Sequence, residues 1–208
     1  MVFYFTSTAV DPPVTLFMGM DKFENEHLIK WGWPEDVWFH VDKVSSAHVY
    51  LRLNPGESLD SVPQTLIEDA AQLVKANSIE GCKMNDVDVV YTMWENLHKT
   101  ESMEVGQIGF HKQKEVRKIR LPKKDTNIIN RLNKTKVEKE VDFRGEREQR
   151  DKEEREDKKK KMKKIEEQKK EEEKKRKEEA ELRSYSNLMK EEKMKSNKDG
   201  GSDSDDFM

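Results

Sequence analysis

Between residues 36 and 51 apolar and polar side chains alternate in two short runs, Asp36-Val37-Trp38-Phe39-His40-Val41 and Ala47-His48-Val49-Tyr50-Leu51, separated by a polar loop, Asp42 to Ser46. Strand side chains point to opposite faces with period two, so the pattern predicts a β-hairpin. Its register sets Val41 against Ala47, His40 against His48, Phe39 against Val49 and Trp38 against Tyr50. One face then carries Val37, Phe39, Val41, Ala47, Val49 and Leu51. The other carries rings with polar handles: Trp38, His40, His48 and Tyr50. Three readings fit that second face. A helix covers it and the handles are satisfied internally; the rings form an open platform on which nucleobases stack; or His40 and His48 begin a zinc site, which would need more ligands than this pair.

The remaining periodicities surround the hairpin. Val2 to Phe5 and Val14 to Met18 predict an opening strand pair across Pro12-Pro13. Asp21-x-x-Glu24 resembles a capping box that starts a short helix through about Lys30, with Phe23 and Leu28 or Ile29 turned inward. Lys22 and Asn25 then sit at a helix amino terminus, where backbone amides can hold a phosphate; an ordinary capped helix fits equally. Ser61-x-x-Gln64 starts a second helix to about Ser78, whose stripe of Val62, Leu66, Ala70, Leu73 and Val74 faces a sheet. Val87, Val89 and Tyr91 alternate as a further strand, and Val105 to Phe110 with Glu115 to Leu121 predict a last pair. The sum is an α+β domain, a mixed or largely antiparallel sheet of six or seven strands with two packed helices, over residues 1–122.

Beyond Pro122, Asp125 caps a new helix presenting Ile128, Ile129 and Leu132, and a charged helical region extends over residues 123–195. No large apolar side chain occurs from Arg144 to Lys161 or from Glu166 to Glu179. A coiled-coil seam needs apolar a and d positions, so a lone helix laced by i,i+4 pairs such as Asp151 with Arg155, Glu154 with Lys158 and Glu171 with Lys175 is expected there. Leu182, Tyr185, Leu188 and Met189 form a small apolar patch for a protein partner. Residues 196–208 have the composition of a disordered acidic tail.

Charge is divided unevenly. Residues 1–125 hold 14 Lys plus Arg against 19 Asp plus Glu, while residues 111–124 alone hold seven basic residues against one acidic. Arg117, Lys118 and Arg120 in that segment suit phosphate contact, or guard a sheet edge. A single cysteine, Cys82, permits no intrachain disulfide and suits the cytosol or nucleus. No signal peptide or run of ~20 apolar residues is readable. There is no phosphate-cradling glycine loop, metal-ligand cluster or cofactor motif, so an enzyme is not expected.

Several of these segments taken together, Gly19-Met20-Asp21-Lys22-Phe23-Glu24-Asn25-Glu26-x-Leu28-Ile29, Asp36 to Val41, Ser46-Ala47-His48-Val49 and Val89-x-Tyr91-Thr92, resemble the NFACT-R domain across roughly residues 1–122. Members of that family bind tRNA or other RNA and act in ribosome-associated quality control. The resemblance implies a non-enzymatic RNA-binding role, with DNA left open, and a site at Asp21, Lys22, Phe23, Glu24 and Asn25 beside Trp38, His40 and His48. The competing expectation is a protein-interaction adaptor whose ring face is core.

Overall fold

The computed structural model describes residues 1–183. Antiparallel strands β1 (Val2–Ser7), β2 (Val14–Gly19), β3 (Asp36–Val41), β4 (Val49–Arg52), β5 (Val87–Met93), β8 (Arg117–Leu121) and β9 (Val137–Lys139) form one sheet in the order β8-β5-β3-β4-β2-β1-β9. The hairpin register is the expected one, Trp38 opposite Tyr50 and Phe39 opposite Val49. Its loop runs longer than the pattern suggested. Ser46 Oγ takes the Val41 N–H at 3.0 Å and the Ala47 N–H turns to Asn77 O, so pairing resumes only at Val49.

Each face of the sheet buries a different layer. Helix α2 (Gln64–Ala76) lays Leu66, Ala70, Leu73 and Val74 on Val37, Phe39, Val49 and Leu51, all buried. Full burial of a Leu or Val side chain contributes about 1.5–3 kcal/mol, and this layer holds most of them. Helix α3 (Thr126–Lys134), capped by Asp125, adds Ile129 and Leu132 to the same side. It is tied down by Asp69, which accepts from Arg131 at 2.6 Å and from the Ser7 hydroxyl at 2.5 Å. On the opposite face, helix α1 (Lys22–Trp31) and the two-stranded hairpin β6 (Leu97–His98) and β7 (Gly109–Phe110) cover Phe17, Trp38, Tyr50 and Val90.

Three expectations change. β7 pairs with β6, whereas β8 pairs with β5, so residues 105–110 and 115–121 are not a hairpin. Asn96 holds the segment between them away from the main sheet: its amide receives the Lys112 N–H at 2.8 Å and donates to Lys112 O at 2.9 Å. Pro122 does not close the domain, because α3 and the edge strand β9 pack onto the sheet and the folded unit runs from Met1 to Arg150. A third packed helix therefore joins the two expected.

Helix α4 (Phe143–Arg183) carries the charged sequence, and none of its residues is buried. Of the expected i,i+4 pairs, Glu154–Lys158 (2.5 Å) and Glu171–Lys175 (2.9 Å) form. Arg155 donates instead to the Asp151 carbonyl oxygen. Tyr185, Leu188 and Met189 of the apolar patch, and the acidic tail, lie outside the described residues. No described helix is long and apolar enough to cross a membrane.

Candidate nucleic-acid interface

Helix α1 starts where expected, but its first turn is occupied differently. Asp21 Oδ1 accepts from the Phe23 and Glu24 amides, both at 2.9 Å, and the Asn25 N–H goes to Asp21 O. A carboxylate thus already sits on the amides that a phosphate would need. Glu24 does not complete the capping box; it binds the Met1 ammonium at 2.6 Å. Phe23, expected inward, is 60% exposed beside Met20 at 53%, and the Lys22 ammonium lies 5.3 Å from its ring centre. Lys22 has no carboxylate partner among the described residues. Asn25 is buried with its Oδ1 unpartnered, and a Cβ on Gly19 would stand 2.6 Å from that oxygen, so only glycine allows the helix to leave β2 this closely.

The loop between β6 and β7 is fastened next to this turn. Glu26 receives the Gly106 N–H at 2.6 Å and the Lys99 ammonium at 2.8 Å, while Lys99 also donates to Glu104 O and Gln107 O. Burial pushes the Glu26 carboxyl upward, but these donors outweigh it and hold the group below the usual range. Gly106, at φ 87°, brings its backbone beside Lys22. The sequence placed Glu26 in the Gly19–Ile29 motif without a role in the site, and carried no sign of Lys99 or Gly106. The available signal was Glu26 standing four residues after Lys22, on the same helix face.

Under that loop lie the rings. Trp38 Nε1 donates to His48 Nδ1 at 3.0 Å, His40 stacks on Trp38 at 5.4 Å between ring centres and 4° between planes, and Phe110 meets Trp38 edge-on. These partners fix the tautomers. His48, accepting at Nδ1, carries its proton on Nε2; His40, whose Nδ1 lies 2.6 Å from Val41 O, carries it on Nδ1 and leaves Nε2 as an acceptor. Burial, then the His40 ring, pushes His48 down to about 3, with the Gly106 backbone opposing. Burial lowers His40 as well, against the Val41 carbonyl and Asp42.

Both imidazoles are therefore neutral near pH 7. Trp38 is 2% exposed and His48 3%, so neither can receive a base, and the open-platform reading fails for both. Helix α1, the small hairpin and Phe110 fill the space that a base would take. Of Trp38, His48 and His40, His40 alone is not buried but partly exposed. No group of three or more metal-ligating side chains exists among the described residues.

The basic strand does not present one patch. Lys118 pairs in register with Val90, which pairs with His40, so Lys118 and Arg120 lie on the ring face, whereas Arg117 shares its side with the core residues Ile119 and Leu121. Each has a carboxylate: Arg117 with Asp60, Lys118 with Asp42 at 2.7 Å, and Arg120 with Asp86 at 3.0 Å. Exposed pairs of this kind contribute little to stability, about 0–1 kcal/mol, and exchange readily.

Comparison with known proteins agrees with this geometry. Residues 1–112 match the family model described as the NFACT protein RNA binding domain. The chain is 61% identical to coiled-coil domain-containing protein 25 of Danio rerio and 59% identical to that of Mus musculus, with both chains covered in full. The solved C-terminal part of the fibronectin/fibrinogen-binding protein from Streptococcus suis shares the fold at a TM-score of 0.51 and 19% identity, over 64% of this chain and 49% of that one. An antiparallel sheet with α1 and a small hairpin on one face and α2 on the other, carrying the Asp21–Glu26 and Trp38–His48 segments, thus places the chain in the NFACT-R family.

Proposed function

We propose that the domain of residues 1–150 binds nucleic acid, RNA before DNA, as a binding module and not as an enzyme. One observation carries the reading: in a family described as RNA binding, an exposed aromatic ring and a cation without a carboxylate partner, Phe23 and Lys22, stand together at the start of α1. Lys22 meets a phosphate and Phe23 stacks on the attached base. Asp21, Glu24 and Asn25 hold the turn in place. His40 offers its Nε2 lone pair to a ribose hydroxyl, which distinguishes RNA from DNA, while Trp38 and His48 act by orienting His40. The family description supports the preference for RNA; the fold alone does not carry it.

The test is fluorescence anisotropy of a labelled single-stranded RNA at two salt concentrations. Lys22→Ala is expected to cost about 1 kcal/mol or more of binding, the loss of a charge-assisted hydrogen bond. Phe23→Ala is expected to cost about 1–3 kcal/mol, the loss of one stacked base. Since Phe23 is mostly exposed, the melting temperature should stay near that of the parent. Parent-like affinity in both variants places the site elsewhere and favours the adaptor.

Lys118 and Arg120, on the ring face, are expected to exchange Asp42 and Asp86 for phosphates at the rim. Replacing Arg117, Lys118 and Arg120 together with Gln should flatten the salt dependence by about 0.7 for each phosphate no longer neutralised, equally for all RNA sequences. An unchanged slope assigns these residues to protecting the sheet edge.

A further inference from the structure

We infer a second polyanion-binding segment, outside the domain and independent of Lys22 and Phe23: the lysine run at 158–164 of α4 contacts the phosphate backbone of nucleic acid without regard to sequence. Six of these seven residues are lysine, and no acidic residue occurs from 158 to 165. The next stretch, 166–179, is balanced, with seven Glu against six Lys plus Arg, and there Lys170, Lys175 and Lys177 hold Glu166, Glu171 and Glu173 at 2.6–2.9 Å.

Pairing within the run is incomplete. Lys158 reaches Glu154 at 2.5 Å, Lys160 reaches Asp157 at 3.4 Å and Lys163 reaches Glu167 at 4.0 Å. Lys159, Lys161 and Lys164 have no carboxylate partner among the described residues. The run is fully exposed, and at ~1.5 Å of rise per residue it carries one positive charge per ~1.75 Å of helix axis. Duplex nucleic acid carries one negative charge per ~1.7 Å. The two densities are of the same order, and each lysine that neutralises a phosphate releases condensed counterions, Lys159, Lys161 and Lys164 without first giving up a carboxylate.

An anionic membrane is the competing polyanion. Insertion into a membrane interface needs a broad apolar face, and here only Met162, at 66% exposure, and Ile165, at 45%, stand among the lysines, which project around the whole helix; adsorption to anionic headgroups by charge alone needs no such face, and the vesicle arm of the experiment tests it. A phosphate backbone needs no such face.

The experiment uses the full chain and a labelled duplex DNA oligonucleotide, whose paired bases offer Phe23 nothing to stack on. Lys159, Lys161 and Lys164 are changed together to Gln, which keeps similar helix propensity. At about 0.9 for each lysine, the slope of log affinity against log salt is expected to flatten by about 2.7. The same three positions changed to Arg should keep the parent slope. Lys22→Ala should change it by no more than about 0.9, so failure here and failure of the Lys22–Phe23 site are told apart. A triple Gln variant with the parent slope overturns the proposal. So does a parent chain that ignores the duplex yet sediments with phosphatidylserine vesicles in a lysine-dependent manner.

Discussion

Trp38→Ala is expected to destabilise the Met1–Arg150 unit by about 3–5 kcal/mol, the cost of emptying a large aromatic site in a packed core. Trp38 is 2% exposed, lies on the interior strand β3 between β5 and β4, stacks on His40 and meets Phe110 edge-on. Its loss also strips His48 Nδ1 of its donor. A buried acceptor left without a partner costs about 1–3 kcal/mol, and the two costs overlap and do not simply add. Urea denaturation followed by the fluorescence of Trp31, Trp33 and Trp94 measures the change. Trp38→Phe keeps a ring in the site but removes the N–H donor together with part of the indole volume; a loss smaller than that of Trp38→Ala, about 1–3 kcal/mol, is expected from it. A stability within about 1 kcal/mol of the parent for Trp38→Ala would mean that the ring is not core.

That measurement bears directly on how the site works. A tryptophan so enclosed cannot meet a base, so any effect of Trp38 substitutions on RNA binding must come through the position of His40 or through loss of fold. Lys22 and Phe23 stand outside that core and can be changed without touching it. The consequence is a division between a ring cluster closed by α1 and Phe110 and an exposed first turn, to which the proposed ligand contact is assigned.

The sheet was legible because its positions alternate with period two. The β3–β4 register as far as Phe39–Val49, the opening pair β1–β2, the α2 stripe of Leu66, Ala70, Leu73 and Val74, and the Asp125 cap follow from local pattern and stand in the fold, whereas Ser61 and Val62 precede α2, which starts at Gln64. What could not be read depends on contacts distant in sequence. Asn96 holds residues 109–112 away from the main sheet through bonds to Lys112, and β9 adds to β1 across more than a hundred residues. The inward reading of Phe23 failed because it stands five and six residues before Leu28 and Ile29, off their face of α1, whereas Asn25, three and four residues before them, is the buried residue of that turn. The platform reading of Trp38 and His48 failed for a different reason. Alternation shows which side chains share a face, but not whether another element covers that face.

Acid should lower the stability of the domain in two stages, with His48 responsible for the first. In the folded chain His48 is pushed down to about 3, whereas in the unfolded chain an ordinary histidine titrates near 6.5. Above pH 6.5 both states keep the ring neutral and the stability is complete. Below it the unfolded state takes up a proton that the folded state refuses until about pH 3, so stability falls as the pH drops through that window. The slope approaches about 1.4 kcal/mol per pH unit, on the order of 2 kcal/mol between pH 6.5 and 4.5, and His40, lowered by burial, adds in the same direction. Glu26, held below its usual range, loses its contribution only at more acid pH, below about 4.5. The two stages can therefore be separated. His48→Asn is the informative variant: its Oδ1 can accept the Trp38 Nε1 proton in place of Nδ1, and an amide does not titrate. Denaturation midpoints between pH 7 and 4.5 should show a slope smaller by up to about 1.4 kcal/mol per unit in His48→Asn than in the parent. Equal slopes would mean that His48 already takes up its proton in the folded protein, and the Trp38 hydrogen bond to a neutral Nδ1 would have to be abandoned.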